Sequence, residues 1–477
     1  MARCELHSYN AVMIVNWQGA LDYLYSLANW ETRPPGTELT FELDRVRHVL
    51  EELGGPQMRW PAVHVVGTNG KGSTAAMIAT ALQAAGHRTG LFTSPHLHTV
   101  RERVAVDGAP IAEREVVGWL NEHRTLLDAH AGLTTFEALT AMAFSHFAER
   151  NVDVAVVEAG LGGRLDTTNV VEPIVTVLTP VGLDHTSVLG DTPVAIARDK
   201  IGVFRPGVPV VVGRQTPEVS VVVREQADRL GSPVLELGRE VRASRVDSGG
   251  DLVVDVDATV SGASGGQPRA GRSARYQVEV GLDGPHQDDN AATAVAALSV
   301  LERSGLAVPD DAVRRGVREV VWPGRFEVLS ESPVLIVDGA HNPPAAAALR
   351  RALDERYPGR AVHVVVGLSR DKDAEGVLAP LVEAARSVTA TRSEHPRALE
   401  AEAVSRVARR MGGIEHHVEA TPAAALESAL RRAGPDDVVL GTGSIFLVAD
   451  LREAWAERGG MPMPPRDPPP EPTARHE

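Results

Sequence analysis

The chain has 477 residues, 43% hydrophobic and 23% charged, with a formal net charge of −15 and a single cysteine, Cys4. Its length suggests two or three domains, its charge argues against broad binding to nucleic acid or acidic membranes, and no apolar run approaches the roughly 18 residues of a membrane helix. One cysteine excludes an internal disulfide framework and a thiolate zinc cluster; with only a short apolar run near the N-terminus, no signal-peptide core is expected and the expected location is the cytoplasm.

From Pro61 to Gly213, short β-branched runs alternate with stretches at helical spacing. The runs are "AVHVV", "TGLFTS", "VDVAVVEAG", "IVTVLTP" and "VPVVVG". Most are apolar throughout, as strands of a parallel sheet buried on both faces should be. "TAAMIATALQAAGH" predicts a helix that ends near Gly86 and completes a βαβ unit. Residues 241–280 alternate instead, in "DLVVDVDATV" and "RYQVEV", which predicts a β-hairpin whose tip "SGASGGQPRAGRSA" is a flexible loop. Helices are expected from about Asp289 to Ser304, then over a shorter stretch to Val320.

The Pro-Gly pair in "VVWPGRF" closes that series, and a second begins with "VLIVDGAHN", "AVHVVVGLS", "SVTATRS" and "DDVVLGTGS". The final "MPMPPRDPPPEPTARHE" is too proline-rich to fold. The expected fold class is α/β. A P-loop-containing, mostly parallel sheet domain with a small β-hairpin subregion would span residues 1–322. A smaller Rossmann-like α/β domain would span 323–460, followed by a disordered tail over 461–477.

The first apolar run opens into "VVGTNGKGST", residues 65–74. The strict phosphate-loop pattern fails here, because Val65 and Gly72 stand where it asks for glycine and for Ser or Thr. Its physical requirements survive. Gly67, Gly70 and Gly72 let backbone N–H groups converge, Lys71 supplies a cation, Ser73 or Thr74 offers a hydroxyl to Mg²⁺, and a helix N-terminus follows. A plain βα corner is the alternative.

Glu158 stands where a buried strand should end, and Asp184 and His185 lie just past the next one. Ligands of open parallel sheets gather beyond the carboxyl ends of strands, so these groups should converge on the glycine loop. Lys200 sits in a helical stretch, where a surface salt bridge is the ordinary reading. In "VDGAHNPP", Asn342 is typed as a helix N-cap and Pro343 as the first helical residue, leaving Asp338 and His341 at a strand end. "GTGSIFLVADL" lacks a lysine and marks only a turn.

Taken in order, "GTNGKGS", "TSPHL", "FEALTAMAF", "EAGLGGRLDTTN", "LDHTSVLG", "KIGVFRPG", "HQDDNAATAVAAL", "PGRFEV", "VDGAHNP" and "SRDKD" resemble the dihydrofolate synthase/folylpolyglutamate synthase family. That family belongs to the Mur-ligase-like ATP-dependent amide ligases, and the resemblance covers about residues 20 to 455. It implies that Gly70, Lys71, Gly72 and Ser73 hold the ATP phosphates and that Asn290, Arg325 and Asp338 complete the ATP site. Ser73, Glu158 and His185 would bind one Mg²⁺, and a carbamylated Lys200 a second. Catalytic roles fall to Lys71, Lys200 and His341, the last near the transferred phosphate. Thr134, Thr135, Phe136, Leu165, Asp166 and Thr167 would hold the pterin end of a folate or dihydropteroate. The implied reaction phosphorylates a substrate carboxylate and then joins it to L-glutamate, by a monomer with no nucleic-acid or membrane partner. An insertion around "ETRPPGTE" breaks the family pattern beside Trp30, so no pterin contact is assigned there. Another Mur-like amide ligase and a non-catalytic nucleotide-binding protein are the competing readings.

Overall fold

A computed structural model describes residues 13–29, 42–246, 250–257, 273–412 and 414–468. Cys4, the insertion beside Trp30, nearly all of the expected hairpin tip and residues 469–477 lie outside the described residues.

Strands β1 (Ala62–Val66), β2 (Thr89–Phe92), β3 (Val104–Val106), β4 (Ala109–Pro110), β5 (Val154–Glu158), β6 (Pro173–Leu178), β7 (Val210–Val212) and β8 (Val234–Glu236) form an eight-stranded sheet. Its order is β4-β3-β2-β5-β1-β6-β7-β8, parallel except that β3, near one edge, runs antiparallel to both its neighbours. Every residue of β1 and β5 is buried, which is why these runs read as apolar without alternation. The register pairs Val65 with Glu158 and Val66 with Leu178, so three central strands end on one level.

The helix Lys71–Ala84 covers one face of the sheet together with His286–Arg303 and Asp310–Glu319. Its backbone approaches the last of these so closely that a Cβ on Gly316 would lie 2.3 Å from Ala81 Cα. The other face carries Trp17–Ser26, Leu43–Glu52, Glu113–Ala129 and Thr135–Glu149. The last starts at a capping box in which the Thr134 side chain and Glu137 satisfy each other's backbone N–H groups.

The region expected as a hairpin is a three-stranded antiparallel sheet of β9 (Val241–Arg245), β10 (Leu252–Val256) and β11 (Ala274–Val278). The hairpin β10–β11 is there; β9 pairs with β10 as well, with only Val241 of its five residues buried, so its sequence carries little apolar alternation. The helix expected from Asp289 begins about a turn earlier, at His286, with Asp288 and Asp289 favourably placed against its dipole.

The second series forms a six-stranded sheet. Strands β12 (Glu327–Glu331), β13 (Val334–Asp338), β14 (Val362–Val366), β15 (Ala385–Ala390), β16 (Glu415–Val418) and β17 (Val438–Thr442) run in the order β12-β13-β17-β14-β15-β16. Only β12 is antiparallel. Asn342 caps the helix Pro343–Arg356 by accepting from Ala345 N at 3.0 Å, as its residue type foretells.

Residues 461–468 form no helix or strand, and side-chain contacts reach them at Asp467. The Asp467 carboxylate accepts from Thr99 Oγ1 at 2.6 Å, Val100 N at 2.7 Å and Trp17 Nε1 at 3.2 Å. Proline lowers the entropy lost on docking, and a half-buried carboxylate with three donors holds the segment there. Among the described residues no helix is long and apolar enough to cross a membrane.

Candidate active site

Beyond β1 the chain turns through a corner that only glycine can make. A Cβ on Gly67 would lie 1.9 Å from Thr179 Oγ1, and one on Gly70, at φ +80°, would lie 2.3 Å from Asn290 Oδ1. Thr68 N and Asn69 N donate to the Pro180 carbonyl, tying the corner to the chain after β6. The helix then starts at Lys71, with Ser73 and Thr74 buried in its first turn and the Thr74 hydroxyl unpartnered. Gly70 and Asn290, distant in sequence, thus share one wall of this corner, and Trp322 closes over Gly72.

Two buried charges face this corner. Glu158, at the end of β5, accepts from Ser94 N at 3.2 Å and has its Oε1 3.9 Å from Lys71 Nζ. Burial pushes its carboxyl above the ordinary range, against the pull of Lys71. Lys200 is only 5% exposed and donates to the Gly67 carbonyl at 2.7 Å. Burial, with the Lys71 charge added, lowers it to about 7. The surface salt bridge read from the residues alone is therefore not what Lys200 makes; its neighbour Asp199 faces Arg164 instead, at 3.7 Å.

The second sheet presents its own strand ends to the same place. His341 Nε2 lies 3.2 Å from Asp184 Oδ2, Asn342 Nδ2 donates to the same oxygen at 3.0 Å, and Lys372 Nζ donates to Asp184 Oδ1 at 2.5 Å. Burial would raise the Asp184 carboxyl, but His341, His185 and Lys372 together hold it well below the usual carboxylate range. Burial, then Lys372, lowers His185 to about 3, so this imidazole is neutral. Asn69 and Asn342 exchange side-chain hydrogen bonds of 2.9 and 3.2 Å across the junction. Asp338 accepts from Phe326 N and Ala340 N, each at 2.8 Å, fastening the turn that carries Arg325.

A cavity opens beside this junction. Thr134, Thr135, Phe136, Leu165, Asp166 and Thr167 line one end, and His185 and His341 lie within it. Ser369, Lys372 and Arg397 of the second sheet's loops, with Phe446 in the first turn of the helix Ile445–Glu457, complete the wall. The structure thus brings all six residues expected for the pterin end to one lining, although the Thr135 hydroxyl is turned to the Leu24 carbonyl at 2.8 Å. Gly70 to Ser73, Glu158, Lys200, Asn290, Arg325 and Asp338 are not part of this lining; Glu158, Lys200 and Asn290 meet the glycine corner instead. Sequence reasoning missed Lys372 and Arg397. Lys372 lay in the quoted "SRDKD" after β14, and a cation just past a parallel strand was the signal available.

The sequence matches the Mur ligase middle domain over residues 65–298 and the Mur ligase glutamate ligase domain over residues 324–445. It is 31% identical over 451 residues to "Dihydrofolate synthase/folylpolyglutamate synthase" of Bacillus subtilis (strain 168), covering 92% of this chain and 99% of that one. It is 37% identical over 445 residues to "Probable bifunctional folylpolyglutamate synthase/dihydropteroate synthase" of Haloferax volcanii, covering 92% of this chain; the chain spans about half of that relative's length, 51%. Among solved structures, "E.coli FolC in complex with DHPP and ADP" superposes with a TM-score of 0.80 at 33% identity, covering 93% of this chain and 99% of that one.

Proposed function

Because the chain belongs to the dihydrofolate synthase/folylpolyglutamate synthase family of Mur ligases, we propose that it is an ATP-dependent ligase joining L-glutamate both to dihydropteroate and to glutamylated tetrahydrofolate. The observation that carries this reading is the cavity that joins the wall of Thr134 to Phe136 and Leu165 to Thr167 with His341, Lys372 and Arg397 of the second sheet. An acyl acceptor lying along it would reach from an apolar and hydrogen-bonding end to a cationic one. The division of the chain at 322/323 is part of the same reading, since the junction then becomes a cleft between two bodies.

A carboxylate does not react with an amine. The γ-phosphoryl group of ATP is therefore transferred first to a carboxylate oxygen of the acceptor, giving an acyl phosphate and ADP. The amine nitrogen of L-glutamate then attacks the acyl carbon, phosphate leaves with the C–O bond electrons, and the amine gives up a proton as the amide forms. Lys71 and the N–H groups of the glycine corner take up the triphosphate charge, and Asn290, Arg325 and Asp338 hold the nucleotide from the other side. Lys372 brings positive charge, and His341 a hydrogen-bonding imidazole, to the oxygens between the phosphorus and the acyl carbon. Closure of the junction keeps water from the acyl phosphate.

Among the described residues no three His, Cys, Asp or Glu side chains gather closely enough to cage an ion. Mg²⁺ does not require such a cage, because it commonly takes one or two carboxylates and completes its shell with water and phosphate oxygens. Glu158 is buried with its charge incompletely offset, and Ser73 and the neutral His185 supply the other donors expected. These residues would hold Mg²⁺, which neutralises phosphate charge when bound. Lys200, carbamylated, would hold a second ion.

The test is ADP release by purified protein with Mg²⁺, ATP and L-glutamate, run separately with dihydropteroate and tetrahydrofolate. Turnover with both is expected, and Lys71→Ala should abolish it with the circular dichroism spectrum unchanged. No turnover with either acceptor would remove the proposal.

A further inference from the structure

β1 is a fully buried strand, yet one of its five residues is histidine. His64 is 0% exposed, and burial followed by the nearby Arg205 charge lowers it to about 3, so it stays neutral. Its Nε2 lies 2.9 Å from Thr168 Oγ1, and Thr168 Oγ1 lies 2.5 Å from Asp166 Oδ1. Burial raises the Asp166 carboxyl, opposed by the Thr168 hydroxyl and the backbone N–H groups of Leu161 and Thr168 that its oxygens accept; with the Thr168 hydroxyl donating its one proton to Asp166, its oxygen is left to accept from His64 Nε2–H. This fixes the imidazole tautomer. Nδ1 is then the bare acceptor nitrogen, and it is buried without a partner, as is the hydroxyl of Thr176, the residue paired with His64 on β6.

An unpartnered buried nitrogen lowers stability, so packing does not explain a histidine where valine would fit the strand. The chain of bonds ends on Asp166, which lines the cavity. Its Oδ1 also accepts from Thr168 N at 3.0 Å and its Oδ2 from Leu161 N at 2.7 Å. With both oxygens pinned, the carboxylate plane is set before any ligand arrives, and the lone pairs left over point in fixed directions.

Resting on the reading of the cavity given above, we propose that His64 is a positioning residue that acts through Thr168 to orient Asp166 toward N–H donors of the bound pterin. His64 touches no substrate. It supplies the donor that lets the Thr168 hydroxyl spend its proton on Asp166, and so selects one rotamer of that hydroxyl.

The variants that test this are His64→Leu, His64→Gln and Thr168→Val in the full chain, with KM measured for dihydropteroate and for ATP. Glutamine places an N–H near the imidazole Nε2 position; leucine offers none. We expect His64→Leu to raise the dihydropteroate KM about tenfold, the scale of one lost hydrogen bond, while the ATP KM and the melting temperature do not worsen. His64→Gln should restore most of the loss, and Thr168→Val should reproduce His64→Leu, which keeps the test alive if one variant fails to fold. An unchanged dihydropteroate KM in both His64→Leu and Thr168→Val overturns the proposal, as does a parallel rise in both KM values with a lower melting temperature. Asp166→Asn separates the two layers: if it leaves the dihydropteroate KM unchanged, the placement of the pterin is wrong, whereas a rise there with no effect at His64 condemns only the relay.

Discussion

Removing carbon dioxide is the most direct perturbation of the proposed second metal site. Lys200 titrates at about 7, where an ordinary lysine titrates at 10.5. At pH 7 roughly half of it is free amine, against roughly one ordinary lysine in three thousand. Only the free amine attacks carbon dioxide, forming an N–C bond and releasing a proton to give the carbamate. Burial therefore raises the reactive population on the order of a thousandfold. The carbamate nitrogen keeps one hydrogen, enough to continue the bond to the Gly67 carbonyl. With ¹³C-labelled carbon dioxide, one carbamate carbon resonance should appear in the wild type and be absent from Lys200→Ala. Losing a metal ligand near the phosphates forfeits several kcal/mol of charge stabilisation, so Lys200→Ala should lower kcat by about a hundredfold or more. Turnover should fall in carbon-dioxide-free buffer and return with bicarbonate. The unmodified protein should also gain stability as pH rises from about 7 to 10.5, because there the unfolded lysine holds a proton that the folded one has shed. A labelled protein without a Lys200-dependent resonance, and with turnover indifferent to carbon dioxide, would refute the reasoning.

Two further outcomes concern the frame around the site. Gly70→Ala forces a side chain into left-handed backbone, costing about 1–2 kcal/mol, and drives a methyl onto Asn290 Oδ1; denaturant titration should show the loss and the ATP KM should rise, and an unchanged ATP KM would disprove the crowding. Asp467→Ala removes the acceptor at the start of the short helix Val100–Arg103, a loss of about 0.5–2 kcal/mol if it behaves as a cap. Amide hydrogen exchange over residues 96–103 should quicken and the dihydropteroate KM should rise a few-fold, since Val100 and Arg103 line the cavity; unaltered exchange would show that the contact braces nothing.

The central strands were legible because burial on both faces writes itself as unbroken apolar runs, and the Asn342–Pro343 helix start because capping is local chemistry. Glu158, which faces Lys71 of the glycine loop, could be read from its place after a parallel strand. Lys200 could not, since its burial depends on the Gly67 carbonyl 133 residues away. Lys372 meets Asp184 across 188 residues, a pairing that no local pattern announces. β12 and β16 escaped notice for a different reason: they are edge strands with little buried surface, and their sequences lack the alternation that marks a strand. The docked end was hidden by composition, which reports that a segment cannot build a core of its own but not that it can borrow one.

The anchor at Asp467 also imposes an order of events during synthesis. It meets Val100 across 367 residues of chain, which a ribosome moving at about 5–20 residues per second takes roughly 20 to 70 seconds to make. During that interval the strands of the first sheet can pair while the Val100–Arg103 segment of the cavity wall lacks this brace. The Val100–Arg103 part of the cavity wall is thus fastened by a residue translated long after it, so this edge of the wall is set later than the sheet behind it.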